Sequence, residues 1–221
     1  MRKVIGAVFI SLDGVMQAPG GPTEDPTGGF KLGGWLPTFM DDAVGKRIST
    51  LFAEPFDLLL GRRTYDIFAA YWPFVEGDYK ALGEKFDRAA KFVVTRNQAP
   101  LRWQNSHRLA SLDALAEVKR GDGPTLVIQG SGTLYPQLLA ADLIDQLVLT
   151  TFPVLLGPGK RLFGEGTPSR SMRCVEHQIT PRGNIIATYE PHGEVKTGSF
   201  QATQRSSAEL ERHAKIAAGT W

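Results

Sequence analysis

A single cysteine, Cys174, stands in 221 residues, so no intramolecular disulfide can staple this chain. Histidine is almost as scarce. His107, His177, His192 and His213 lie far apart, with no H-x-H, H-E-x-x-H or C-x-x-C spacing. That argues against a structural zinc site. No apolar run approaches the roughly 20 residues of a membrane span. An excess of one charge is missing too: 25 Lys and Arg against 23 Asp and Glu leave a net charge of +2. A dedicated binder of nucleic acid or of acidic membranes would carry a basic stripe, and none is seen. Arg2-Lys3 and the apolar residues 4–10 faintly mimic a signal peptide. The run is short, however, and ends in Ser11-Leu12-Asp13-Gly14 with no small-residue cleavage site. It reads as a buried strand, and the expected protein is soluble and cytoplasmic.

Hydrophobic residues make up 42% of the chain and charged residues 22%, enough apolar material for a core. The length suits one domain, or one domain with an extension. Short apolar runs at 4–10, 57–60, 91–95, 125–129 and 144–152 alternate with helical patterns. Several runs are continuous, as expected for strands covered on both faces. Residues 41–53 carry Val44, Ile48, Leu51 and Phe52 at helical spacing. Residues 63–71 and 133–141 each follow a strand, and Ser111 can cap a further helix. The alternation predicts an α/β sheet, largely parallel in its middle. Residues 172–180 and 184–190 flank Pro181-Arg182-Gly183 and read as an antiparallel hairpin. The domain is expected to span 1–190. Residues 191–221 form a polar extension, in which Ser206-Ser207-Ala208-Glu209 opens a short helix.

Residues 11–37 hold seven glycines and four prolines with no core period. A loop this long is a functional or mobile segment, or else a tolerated surface insertion. It follows the first strand, so it can cross the carboxyl edge of the sheet, where open α/β sheets bind ligands.

Three strand ends carry groups suited to phosphate. In Gln129-Gly130-Ser131-Gly132-Thr133 a strand passes two glycines into a helix. Glycine lets backbone approach a ligand, and the helix start offers free N–H groups. The alternative is a tight turn with no ligand. A Rossmann site fails, because its sixth position is Tyr135 and the motif follows a late strand. A P-loop fails at Gly159-Lys160, which lacks the earlier glycine and is followed by Arg161. The second end is Gly61-Arg62-Arg63-Thr64. Two cations at a helix start oppose its dipole, which makes sense if an anion sits between them. The alternative is a solvated arginine pair. The third end is Thr95-Arg96.

These motifs occur in the order seen in the dihydrofolate reductase superfamily. Ser11-Leu12-Asp13-Gly14 and the stretch 153–163 most resemble its bacterial branch related to the riboflavin-pathway reductase. The resemblance covers about residues 4–190. It implies a dihydrofolate reductase-like fold: a mixed, mostly parallel eight-stranded sheet flanked by helices, with NADPH across the carboxyl edge. It places Gly61, Arg62, Arg63 and Thr64 on the cofactor phosphates, and Thr95 and Arg96 at the adenosine 2′-phosphate. Gly130, Ser131, Gly132 and Thr133 fall under the pyrophosphate and nicotinamide. The loop after Ser11 resembles a mobile lid. Many relatives carry Gly-Gly where this chain has Gln129-Gly130. The resemblance also suggests a homodimer.

On the substrate side, folate reductases place one carboxylate at the start of the first helix. Asp41 and Asp42 stand there, and adjacent helical residues point about 100° apart. Asp41 shares the stripe of Val44, Ile48 and Leu51, so it is the proton-handling candidate. Its alternative role is helix capping. Trp35, Phe39 and Trp72 are candidates to stack on a flat heterocycle, or else ordinary core. Asp13 is a weaker polar candidate, and Cys174 has no group near it to activate it. The resulting expectation is an NADPH-dependent reductase acting on a C=N or C=O carbon of a small pteridine- or pyrimidine-like substrate, with no metal. The alternative is a non-catalytic NADP-binding protein of the same fold.

Overall fold

In a computed structural model, which describes residues 1–200 and 205–221, the first strand lies deep in the sheet. After β1 (Val4–Ser11) come α1 (Asp42–Leu51), β2 (Phe56–Gly61), α2 (Arg62–Tyr71) and α3 (Lys80–Arg88). There follow β3 (Lys91–Val94), β4 (Ser106–Leu109), α4 (Leu112–Arg120), β5 (Thr125–Gln129) and α5 (Tyr135–Ala140). The chain then forms β6 (Gln146–Phe152), β7 (Met172–Ile179), β8 (Ile185–Pro191) and α6 (Ser207–Ala217). The strands lie in the order β4-β3-β2-β5-β1-β6-β8-β7. Neighbours from β4 to β6 are parallel, while β8 is antiparallel to β6 and β7 to β8. This is the mixed, mostly parallel sheet with a hairpin at its end that the sequence predicts.

The continuous apolar runs sort by the two-residue period of a strand. In β2, Leu59 packs with α4 and α5, while Leu58 and Leu60 face the opposite layer of α1, α2 and α3. That second layer is held by edge-to-face contacts among Phe52, Phe56 and Phe86. Burying each such ring contributes roughly 1.5–3 kcal/mol. A third cluster around Val15, Trp35 and Phe152 supports the long loop.

Gly6 lets α5 press onto β1. A Cβ there would lie 2.6 Å from Tyr135 Cε1 and 2.8 Å from Leu147 Cδ2. Tyr135 is fully buried, its hydroxyl donates to the Ile128 carbonyl at 3.3 Å, and burial pushes its ionisation far up. We expect Gly6→Val to cost about 1–3 kcal/mol by overpacking. Thermal unfolding checks this, with Tm falling about 2–4 °C per kcal/mol in a chain of this size. An unchanged Tm would mean that the ring moves aside freely.

Two elements are absent from the sequence-based expectation, β4 and α3. Two backbone hydrogen bonds continue past the end of β8. His192 N–H donates to the Ser171 carbonyl at 2.8 Å, and Ser171 N–H to the Gly193 carbonyl at 3.0 Å. Strand pairing therefore runs on to Gly193. Beyond it, Ser206 caps α6 by accepting from Glu209 N–H at 3.2 Å, and no residue of α6 is buried. Residues 201–204 of the expected extension lie outside the described residues.

Candidate active site

The parallel register brings the carboxyl ends of β3, β2, β5 and β1 to one edge. Gly61 pairs with Val94, so Thr95 follows one strand over, and β5 lies on the other side of β2. Above this edge lies a cavity of about 890 Å³. The long loop forms one wall, the starts of α2 and α5 the floor, and α1 with the approach to α3 the far wall.

Two of the expected strand ends are stitched together. Gly61 N–H donates to Ser131 Oγ at 2.9 Å, and Ser131 N–H donates to Thr64 Oγ1 at 2.9 Å. The turn needs consecutive left-handed residues: Gly130 has φ +62° and Ser131 φ +56°. A side chain at Gly130 would also meet Thr64 at 3.0 Å, and one at Gly132 would meet Met16 Sδ at 2.9 Å. Bare backbone at both positions keeps the turn close to the cavity. Gly61, Arg63, Thr64, Gly130, Ser131, Gly132 and Thr133 all line it. No side chain caps α2, and no acid stands in its first turn. Its N–H groups and positive dipole end thus face the cavity with no partner from a cap. This arrangement fits a phosphate group. Ser131→Ala should leave the buried Gly61 N–H unpaired and cost about 1–3 kcal/mol. A thermal melt with Tm unchanged would contradict that role for the hydroxyl.

The two arginines separate. Arg63 lines the cavity, 4.0 Å from Asp25 Oδ2. Arg62 turns away. Its Nε donates to Asp66 at 2.9 Å and its Nη1 to the Ala99 carbonyl at 2.9 Å, and Asp66 raises its pKa further. Thr95 and Arg96 lie on the same edge but outside the cavity. Thr95 N–H donates to the Leu109 carbonyl at 2.9 Å, its Oγ1 accepts from Asn97 N–H at 3.1 Å, and Arg96 is exposed.

The substrate-side expectations change more. Asp41 is not a helical residue facing the cavity. It is the extended N-cap of α1, accepting from Val44 N–H at 2.9 Å and from Asn184 Nδ2 at 3.1 Å. Burial would raise its pKa, but the Thr180 hydroxyl, the Val44 amide and Asn184 outweigh this and hold it low. The helical-phase argument fails because α1 begins one residue later. Trp35 is buried against Phe152, and its indole donates to the Gln17 carbonyl at 3.0 Å. Phe39 packs on the same ring. Neither lines the cavity, whereas their neighbours Leu36, Pro37 and Met40 do. Trp72 lines it.

The loop is folded. Val15 bridges to Arg161, Met16 N–H donates to the Lys160 carbonyl at 2.9 Å, and Gln17 bonds to Asp25, Thr27 and Lys160. Asp13 ties the loop to the segment after β6, accepting from the Leu156 and Gly157 amides at 3.1 and 2.8 Å. The Ser11 hydroxyl, then these amides, lower its pKa to about 2. Asp25 is buried and ion-paired with Lys160. Burial raises its pKa, yet Lys160 and Thr27 hold it below the usual range.

Glu24 is the carboxyl that the sequence reading passed over. It lines the cavity, and its Oε2 accepts from Gly20 N–H at 2.6 Å and Gly21 N–H at 3.2 Å. Burial pushes its pKa up, only partly offset by those amides, and Asp25 beside it adds to the rise. Its setting between Gly20-Gly21 and Asp25 was the available signal.

The sequence profile of the RibD C-terminal domain matches residues 2–186. The chain belongs to the RibD C-terminal domain family. This is an oxidoreductase-type family. Two uncharacterized proteins of Bacillus subtilis strain 168 are similar across most of the chain. YyaP is 25% identical over 198 residues, covering 87% of this chain and 96% of its own. YwjB is 25% identical over 177 residues, covering 78% and 88%. Among solved structures, a Shewanella sp. PV-4 protein named for riboflavin biosynthesis superimposes with a TM-score of 0.56 at 20% identity, covering 86% of this chain and 99% of that one. Dihydrofolate reductase from Enterococcus faecalis, complexed with NADP(H) and RAB-propyl, gives 0.54 at 16%, covering 86% and 96%. The two structures establish for this RibD C-terminal domain the dihydrofolate reductase-like fold. Among the described residues, no helix is long and apolar enough to cross a membrane.

Proposed function

We propose that this chain is an NADPH-dependent reductase of small heterocycles. The observation that carries the reading is one cavity, at the carboxyl edge, lined by the uncapped start of α2, Arg63, and the left-handed Gly130-Ser131-Gly132 turn. Bound NADPH supplies a hydride for an electrophilic C=N or C=O carbon. The chain supplies position and a proton. Gly61, Arg63, Thr64 and residues 130–133 would hold the pyrophosphate and the nicotinamide. Thr95 and Arg96, one strand further along the edge, meet the adenosine 2′-phosphate. Arg62 is left out, because Asp66 and Ala99 already engage it.

Glu24 takes the proton-handling role expected of Asp41. Its raised pKa favours the protonated form, and its Oε2 is held by two amides while Oε1 can carry the proton. Trp72 contributes to the substrate wall. Asp13 and Asp25 position the loop.

The test is NADPH oxidation against a panel of reducible heterocycles carrying C=N or C=O groups. Substrate-dependent oxidation is expected. Saturable NADPH binding with no turnover on any substrate would favour the non-catalytic NADP-binding reading instead.

A further inference from the structure

The cavity has two chemically different ends. Its charged lining comes from the loop (Glu24, Asp25), the start of α2 (Arg63) and the segment after β6 (Lys160, Arg161, Glu165). All three cations have a carboxylate within 4.0 Å: Lys160 and Arg63 share Asp25, and Arg161 meets Asp13. Arg63 belongs, on the reductase reading, to the cofactor phosphates.

The other end is built by Met40, Ile48, Phe68, Trp72, Tyr79 and Leu82. No lining residue from α1, the second half of α2 or α3 carries a charge. The polar side-chain groups of these walls are the hydroxyls of Tyr71 and Tyr79 and the indole N–H of Trp72. A carboxylate or phosphate placed at this end would lose its water and gain no cation, which is costly. Aromatic walls favour flat rings, and a few hydroxyls are enough to orient one.

We infer that this end takes an uncharged, flat and largely apolar substrate that bears neither phosphate nor carboxylate. The inference rests on the reductase reading, because it names the substrate class of that same site.

The experiment is calorimetric titration of the full chain with quinoxaline and with naphthoquinone, each against its own carboxylate derivative. Each neutral compound should bind at least about 10-fold more tightly than its anion. Tyr79 is 54% exposed, so Tyr79→Ala tests the location with little risk to the fold. It should weaken the neutral compounds, whereas Arg63→Ala should not. Equal or tighter binding of the anions overturns the inference. So does failure of both neutral compounds to bind, or loss of their binding in Arg63→Ala instead of Tyr79→Ala. NADPH is titrated in parallel. If NADPH binds and the neutral compounds do not, the substrate class falls and the reductase reading stands. If they bind and NADPH does not, the reductase reading falls and the ligand class stands.

Discussion

Arg63→Ala should weaken NADPH and NADH together, by about 10- to 150-fold. Arg63 faces the cavity beside the uncapped start of α2 and the glycine turn, the groups proposed for the pyrophosphate. Both cofactors carry that group, so both lose the same charge-assisted contact, worth roughly 1.5–3 kcal/mol. Arg96→Ala should behave differently. It stands at the end of β3, away from the cavity, where the 2′-phosphate is proposed to lie. Its loss should weaken NADPH and leave NADH nearly unchanged. The Arg96 contact is ionic and exposed, so higher salt should narrow the NADPH preference. Arg62→Ala should change either affinity little, since it removes an exposed pair with Asp66, a bond to the Ala99 carbonyl and a contact over the Tyr65 ring, all away from the cavity. Titration of both cofactors against the three variants reads this directly. A large loss in Arg62→Ala with none in Arg63→Ala would mean that the Asp66 pair opens when the cofactor binds.

Glu24→Gln should lower kcat by about 100- to 10,000-fold, the usual worth of a positioned proton donor, while NADPH affinity holds. The amide still accepts from Gly20 and Gly21 but cannot deliver a proton. In the wild type, turnover should fall as pH rises through the raised pKa of Glu24, because the protonated acid is the active form. That pH dependence should vanish in Glu24→Gln. Stability gives a second readout. A carboxyl with a raised folded pKa binds more protons folded than unfolded, so stability falls as pH rises from its ordinary value of 4.5 through the raised value. Glu24→Gln should remove that fall and leave the protein folded. Unchanged kcat with an unchanged pH profile would return Glu24 to the role of a loop brace.

The parts of the fold that were legible are those where one signal suffices. β1, β2 and β5 are apolar on both faces, so their runs stand out without context. Gly130 and Gly132 mark their turn because any side chain there would strike Thr64 or Met16. Elsewhere the deciding fact lay outside the segment. β4 is four residues long, lies at the sheet edge and buries only Leu109, so it has no apolar run to read. α3 buries just Gly83 and Phe86, and Gly83 looks like a helix breaker until its close contact with the Trp72 carbonyl is known. In the site, the placement of Asp41 turns on a single residue of helix boundary: it caps α1 and does not line the cavity. Its partners Thr180 and Asn184 come from the distant hairpin, which no local pattern reports. Trp35 and Phe39 lie in the right stretch, but Phe152 claims both rings and turns their neighbours toward the cavity. Glu24 sits in a loop with no periodic pattern, so only its setting beside Gly20-Gly21 and Asp25 hinted at its place in the cavity.

The central claim is that the carboxyl edge holds NADPH. Calorimetric titration of the wild-type chain with NADPH and NADH tests it most directly. The account predicts one saturable site per chain for each cofactor, tighter for NADPH, with Arg63→Ala weakening both. No saturable heat with either cofactor, or saturable binding that Arg63→Ala and Arg96→Ala leave untouched, would contradict it.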